Sequence, residues 1–350
     1  MNPTDQKKLV RRDALGAIAG AGIAAGTSMA GCTPTQDSAG PRAGDSSQRA
    51  AGAHTAAISP TPVAADPNLN GEPGVVRKLG KTGADVNPVS LGGEGILRTT
   101  GRFDDAVPMI VEALRLGVRY CDTAPAYQQS QDYYGEAFKA AGKGARERVT
   151  LASKTHERSE SGALRLLDDS LRRLGTDHLD IWQLHDLRTI DDLDEIFGKR
   201  GAIHAVEKAK ADKRIRFVGI TGHHDPAILV EAMRRYPFDT VLCALNPSDP
   251  RRMPFLQTVV PEARKRGMGI VGMKVMSAGR LLKDRSATSE ELIRYATSFA
   301  DTSIIGCSSI AEVRENLRIG RTAQPLPPEA LAALEARIAP NAARYDYYKA

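Results

Sequence analysis

From Val76 onward the chain alternates short apolar runs with amphipathic stretches. The runs VSLGGEG, RYCDTA, VTLASK, LDIWQLH, RFVGITG, TVLCALN, GIVGMKV and TSIIGCS have the length and composition of buried strands. Between them, apolar positions recur at helical spacing. Asp104 to Gly117 places Ala106, Ile110, Val111 and Leu114 on one face, and Gly162 to Gly175 does the same with Leu164, Leu167, Leu171 and Leu174. DPAILVEAMRRYP, PFLQTVVPEARKRG, EELIRYATSFA and IAEVRENLRIG read as further helices. Gly117, Gly175, Gly267 and Gly320 follow helical stretches, where a left-handed cap favours glycine. Eight strand–helix units predict an α/β fold, a (β/α)8 barrel of the TIM type. An open doubly wound sheet is the alternative, because counting strands does not prove closure. No GxGxxG follows the first strand, so the dinucleotide fingerprint of the open sheet is missing. The lead-in VVRKLGKTGADVNP is expected to form a β-hairpin capping the barrel floor, and PEALAALEARIAP an extra C-terminal helix.

Upstream the pattern changes character. The segment KKLVRRDALGAIAGAGIAAGTSMAGC has a basic start, the twin arginine Arg11-Arg12, and a weakly apolar Ala/Gly-rich run from Ala14 to about Gly31. That run is too short and too glycine-rich for a membrane span. It resembles a twin-arginine translocation signal, which implies the translocation machinery as a partner and a periplasmic or cell-envelope location. A basic tail with a chance Arg-Arg pair is the plain alternative. Met29-Ala30-Gly31-Cys32 resembles a lipobox, in which Cys32 would carry a lipid anchor and supply the membrane contact. Cleavage after Ser28-Met29-Ala30 is its rival. Residues 33–75 are rich in Ala, Ser, Pro, Thr and Gly and cannot bury a core, so they read as a flexible tether. The expected organisation is a signal over 1–32, a linker over 33–75 and a barrel domain over 76–350.

Composition narrows the partners. The net charge of +6 is dispersed without a basic block, which argues against a nucleic-acid partner. Cys121, Cys243 and Cys307 fall inside predicted strands, far apart and far from Cys32, so they read as buried thiols rather than disulfides or a metal site.

Four polar residues then stand out. Asp122 closes the second strand and Tyr127 follows it by five residues, Lys154 closes the third, and His185 closes the fourth. Active sites of such barrels are built where strands end, and these strands are neighbours. Converged, the lysine is expected to lower the phenol pKa, with the carboxylate holding the lysine charged. A tyrosine tuned in this way donates a proton to a carbonyl. Each residue also has a plain reading: a turn cap, a loop aromatic, a solvated cation, a backbone-bonded imidazole. Together those readings require four coincidences of residue type and position.

With these residues in place, the chain from Val76 onward resembles the aldo-keto reductases. RKLGKTGADVNPVSLGGEG, DTAPAYQQSQDYYGEAFK, LASKT, DIWQLH and IIGCSSIAEVRENL carry the resemblance. It implies a catalytic tetrad of Asp122, Tyr127, Lys154 and His185, with Tyr127 as general acid, His185 orienting the substrate carbonyl, and NAD(P)H supplying hydride. It also implies cofactor contacts. After strand five the family has Ser-Asn for the carboxamide, where this chain has Thr221-Gly222 followed by His223-His224. On strand six it has Gln and a stacking aromatic, where LCALN offers Asn246 alone. KVMSAGRL resembles the pyrophosphate loop through Lys274, Val275, Met276, Ser277 and Gly279. Gly306, Cys307 and Ser308, then Glu315 and Asn316, match the adenosine contacts. Glu312 stands where an arginine often meets the 2′-phosphate, which tilts the choice toward NADH unless Arg314 or Arg280 compensates. The double histidine lacks a third ligand in sequence, so no metal is expected.

The expected function is reduction of an aldehyde or ketone to an alcohol, or the reverse, on a small carbonyl or alcohol substrate. Glu94, Ile96, His223 and the loop after Asp186 are expected to wall the pocket. An exported barrel that binds ligand without catalysis is the alternative. A hydrolase using Glu94 and Asp122 leaves the lysine, tyrosine and histidine without roles.

Overall fold

The computed structural model describes residues 74–349. The twin arginine, Cys32 and the tether up to residue 73 lie outside the described residues. Gly74 and Val75, placed in the tether from sequence, already dock on the barrel, with Val75 N–H donating to Arg321 O at 3.4 Å.

Eight parallel strands close into a barrel: β3 (Val89–Gly95), β4 (Tyr120–Asp122), β5 (Thr150–Thr155), β6 (Leu179–Leu184), β7 (Ile215–Gly222), β8 (Thr240–Ala244), β9 (Gly269–Met273) and β10 (Thr302–Cys307). β10 pairs back onto β3, so no edge strand remains. All eight apolar runs of the sequence are strands of this barrel, and the open-sheet alternative is excluded. Strands β1 (Arg77–Lys78) and β2 (Asp85–Val86) form the expected hairpin. It plugs one end with Leu79 and Val86, which pack against Tyr120, Ala152, Ile181, Leu242 and Val271 inside the barrel. The plug is seated closely: Gly80 has a φ of +48°, and a Cβ there would lie 2.2 Å from Gly269 N.

The helices outside the barrel are α1 (Phe103–Arg115), α2 (Ser130–Ala140), α3 (Glu160–Leu174), α4 (Ile190–Ile196), α5 (Ala202–Ala211), α6 (Pro226–Arg235), α7 (Phe255–Lys265), α8 (Arg280–Lys283), α9 (Ser289–Thr297), α10 (Ile310–Thr322), α11 (Pro328–Ile338) and α12 (Ala342–Tyr345). On α1 the buried face runs through Ala106, Met109, Ile110, Ala113 and Leu114, with Val111 half-buried and Glu112 buried in its place. Arg115 and Arg314 permit this by pairing with the Glu112 carboxylate. Leu164 of α3 is likewise half-buried. Gly117, Gly175 and Gly267 adopt the left-handed conformation expected after a helix. Gly320 does not: it lies inside α10, where a Cβ would meet Val89 Cβ at 2.7 Å, so close helix–strand approach accounts for it. The free thiols Cys121, Cys243 and Cys307 are buried.

Candidate active site

Strand periodicity aims the polar residues inward. Tyr120, Ala152 and Ile181 fill the barrel interior, and Asp122, Lys154 and Gln183 lie two residues further along the same strands on the same face. His185 is the next position in phase after Gln183. Parallel register pairs Asp122 with Ala152 and Lys154 with Gln183, so Lys154 stands on β5 two positions beyond the partner of Asp122, on the same face.

Lys154 is fully buried and donates to both oxygens of Asp122 at 2.7 Å and to Thr123 O at 2.8 Å. Those three acceptors use all three N–H bonds of the ammonium. Burial pulls the ammonium down and the Asp122 carboxyl up, and their mutual attraction opposes both shifts. The ammonium lies 4.9 Å from the centroid of the Tyr127 ring, and Arg98 lies 5.4 Å from it. The His185 ring meets Tyr127 edge-on at 5.8 Å. Lys154 therefore acts on the phenol through space.

This arrangement corrects one expectation. The lysine charge favours the phenolate, yet burial, then the Asp122 and Glu94 carboxylates, outweigh it and raise the Tyr127 pKa well above the usual phenol value. The charge of Lys154 is largely matched by Asp122, so burial wins. A phenol held protonated is a proton donor. Burial, and then Lys154, push the His185 pKa well below its ordinary value, so the imidazole is neutral at neutral pH. Arg158 fixes the loop that carries it, donating to His185 O at 2.8 Å and Asp186 O at 3.0 Å.

A cavity of about 440 Å³ runs from this cluster across the ends of β3, β9 and β10. Asp122 and Tyr127 line one end, with Glu94, and Ser308, Glu312 and Asn316 line another part. Lys274, Val275, Met276, Gly279 and Gly306 complete the wall. Lys274, Ser277, Ala278 and Gly279 all have positive φ, a loop that turns successive peptide groups in the manner of an anion-binding nest. This wall and nest suit the diphosphate and adenosine of a dinucleotide.

The other expected contacts are engaged elsewhere. Asn246 is fully buried and donates to Lys274 O at 3.0 Å and Tyr348 Oη at 2.8 Å, while its own oxygen accepts from Ser248. Its amide is used in holding the C-terminal segment rather than turned to the cavity. Thr221 Oγ1 accepts from Asp186 N–H at 2.9 Å, and Gly222 packs against Leu187 O and Leu229. Ser277 donates to Tyr345 O at 2.6 Å. Cys307 is buried against Asn316, and Glu315 is exposed and pairs with Arg318. Sequence reasoning missed Arg98 over Tyr127 and the C-terminal segment Tyr345–Lys349. The aromatic cluster RYDYYK was the available signal for the segment.

The family-wide sequence profile of the Aldo/keto reductase family matches residues 88–291. L-galactose dehydrogenase of Arabidopsis thaliana is 26% identical over 309 residues, covering 76% of this chain and 94% of that protein. The holo form of an aldo-keto reductase from Bacillus halodurans has a TM-score of 0.63 at 26% identity, covering 76% of this chain and 96% of the other. A Bombyx mori aldo-keto reductase in complex with NADP shares the fold, with a TM-score of 0.60 at 17% identity over 76% of this chain and 94% of that one.

Proposed function

The chain belongs to the aldo/keto reductase family of NAD(P)H-dependent oxidoreductases, and on that premise we propose that it reduces a carbonyl to an alcohol, or runs the reverse, with Tyr127 as general acid. The observation that carries this reading is the Asp122–Lys154 pair, fully buried beside the Tyr127 ring, with the His185 ring edge-on to that tyrosine. NAD(P)H held along the wall of Lys274, Val275, Met276, Gly279 and Gly306 would supply the hydride. Tyr127 Oη gives its proton to the carbonyl oxygen as that oxygen gains negative charge. Lys154 stabilises the phenolate left behind, because a positive charge 4.9 Å from the ring favours the anion once it forms. Asp122 and Thr123 O hold the ammonium so that it cannot turn away. His185, neutral, is a hydrogen-bonding partner for the substrate oxygen without contributing a charge.

Glu94, Arg98 and Lys274 place charged groups near the mouth, Glu94 pairing with each of the other two. This favours a polar, hydroxyl-bearing carbonyl compound, in keeping with the resemblance to L-galactose dehydrogenase. NADH is the preferred reductant in this reading. Glu312 lines the cavity, while Arg314 is paired with Glu112 and Arg280 stacks on Tyr347 with its guanidinium 3.8 Å from the ring centroid.

The test compares wild type with Tyr127→Phe, following NADH and NADPH oxidation with a panel of aldehydes, ketones and sugars. Loss of the general acid is expected to lower kcat by about 10²–10⁴-fold. A wild type that reduces no carbonyl faster than the variant defeats the enzymatic reading and favours a binding module.

A further inference from the structure

Beside the tetrad, the loops after β6 and β7 bring together Asp186, His223 and His224. Among the described residues this is the one group of three His, Cys, Asp or Glu side chains whose ligand atoms all lie within 4.8 Å of one another. Asp186 Oδ1 lies 3.5 Å from His223 Nε2 and 3.7 Å from His224 Nε2. These separations are too long for good hydrogen bonds. They approach the edge of about 3.3 Å that metal–ligand bonds of about 2.0–2.1 Å impose on a tetrahedral site. Asp186 Oδ1 and His224 Nε2 are buried atoms with no hydrogen-bond partner. An ion bound between them would give both atoms a partner at once.

We propose that Asp186, His223 and His224 bind a first-row divalent transition-metal ion, Zn²⁺ being the simplest, through two imidazole nitrogens and one carboxylate oxygen. This set is common in metalloenzymes and leaves coordination positions open for water or substrate.

The surroundings are those of metal ligands. His223 Nδ1 faces Tyr348 O at 3.3 Å. Donation to that carbonyl places the lone pair on Nε2, which then points at the carboxylate. Two lone pairs facing each other repel unless a cation lies between them, and a histidine ligand tied to a backbone carbonyl through its other nitrogen is the usual outer-shell arrangement. Arg188 donates to Asp186 Oδ2 at 2.6 and 2.8 Å, which orients the carboxylate and leaves Oδ1 for the ion. Burial, more than any charge, lowers the pKa values of both imidazoles, which keeps their nitrogens free. The charges of Lys274 and Arg188 act in the same direction on His224 and oppose the ion as well, so the affinity is expected to be moderate rather than extreme. Each of the three side chains keeps about a fifth of its surface exposed, enough for an ion to enter.

The backbone spends strain on this placement. Asp186 has a φ of +56°, a region few non-glycine residues occupy. It is held there by Thr221 Oγ1, which accepts from its N–H, and by Arg158, which donates to its carbonyl. Strain fixed from both sides is characteristic of functional positions.

The inference does not rest on the reductase reading, and its test reads metal binding rather than turnover. Tag-free protein is titrated with Zn²⁺ against a chromophoric chelator, and with Co²⁺ while visible absorption is followed. Wild type is expected to bind one ion per chain and to give Co²⁺ bands of low-symmetry coordination. His224→Gln and Asp186→Asn are expected to weaken Zn²⁺ by at least about 100-fold, because loss of an outer-shell partner alone costs about 10–100-fold. Asparagine tolerates the left-handed backbone, so Asp186→Asn tests the ligand with the loop retained. Zn²⁺ should also raise the Tm of wild type and not of the variants. Native circular dichroism of the variants confirms that they fold. Equal Zn²⁺ affinity in wild type and both variants overturns the proposal.

Discussion

At Glu312 the carboxylate accepts a hydrogen bond from Ser308 N–H at 2.7 Å, and the Glu312 N–H donates to Ser309 Oγ at 3.2 Å. The residue thus fastens the first turn of α10 while lining the cavity. A negative charge here repels a 2′-phosphate. Replacing it by arginine removes a favourable carboxylate at a helix N-terminus, worth about 0.3–1 kcal/mol. In return it offers the phosphate a charged donor worth about 1.5–3 kcal/mol. Glu312→Arg should therefore shift the ratio of kcat/KM for the two cofactors about tenfold or more toward NADPH, for a drop in Tm of a few degrees. An unchanged ratio in steady-state assays with NADH and NADPH would remove Glu312 from the ribose end of the cofactor. The convergence of Asp122, Lys154 and His185 was legible in sequence because each stands at or just past the end of an apolar strand, and β pairing brings such ends together, while Tyr127 rides on the loop after β4. The state of Tyr127 was not, because its pKa depends on burial that no local pattern reports. The engagement of Asn246 and Thr221 was hidden for a related reason: their partners, Tyr348 and Asp186, are remote in the chain.

The strand β3 carries three glycines in VSLGGEG, and the sequence shows the strand without showing why those positions lack side chains. Each answers to a neighbouring backbone. A Cβ on Gly92 would lie 3.2 Å from Gly306 N, and one on Gly95, whose φ is +71°, would lie 2.5 Å from Cys307 O. Gly93 bears on the chemistry: a Cβ there would stand 2.7 Å from Asp122 O, 2.9 Å from Tyr127 Cδ2 and 3.0 Å from Thr123 Cα. Thr123 O is one of the three acceptors that orient Lys154. Gly93→Ala should therefore move Tyr127 and the groups that orient Lys154 together. Overpacking of this kind costs about 1–3 kcal/mol, too little to unfold a barrel of this size. The expected result is a fall in kcat of at least about tenfold, with near-native far-ultraviolet circular dichroism, since displacements of about 1 Å suffice for larger losses. Native kcat in this variant would show that β3 has slack the packing does not suggest.

Across the whole molecule, closure of the barrel turns eight weak local patterns into one site, and it was foreseeable because eight strand–helix units have few other ways to bury their apolar faces. The C-terminal segment was not foreseeable, since its attachment is tertiary and polar. Beyond α12, Lys349 reaches back to the short turn after β8. Its ammonium donates to Asp249 Oδ1 at 2.7 Å, Asp249 O at 2.9 Å and Arg252 O at 2.6 Å, with both side chains fully buried. Asp249 also accepts from Phe255 and Leu256 N–H at the start of α7. One buried ion pair therefore ties the chain end to a helix and to the loop that positions Asn246. Removing the ammonium leaves a buried carboxylate without its counter-charge, a change that costs about 3–5 kcal/mol when a buried pair is broken. Lys349→Met should lower the Tm by several degrees or more. It should also free Tyr348 from Asn246, bringing faster amide hydrogen exchange in β8 and in the residues after β9. If the Tm falls while exchange in those segments stays at the wild-type rate, the pair stabilises α7 alone and the segment is held on the barrel by Tyr345 and Tyr348 packing instead.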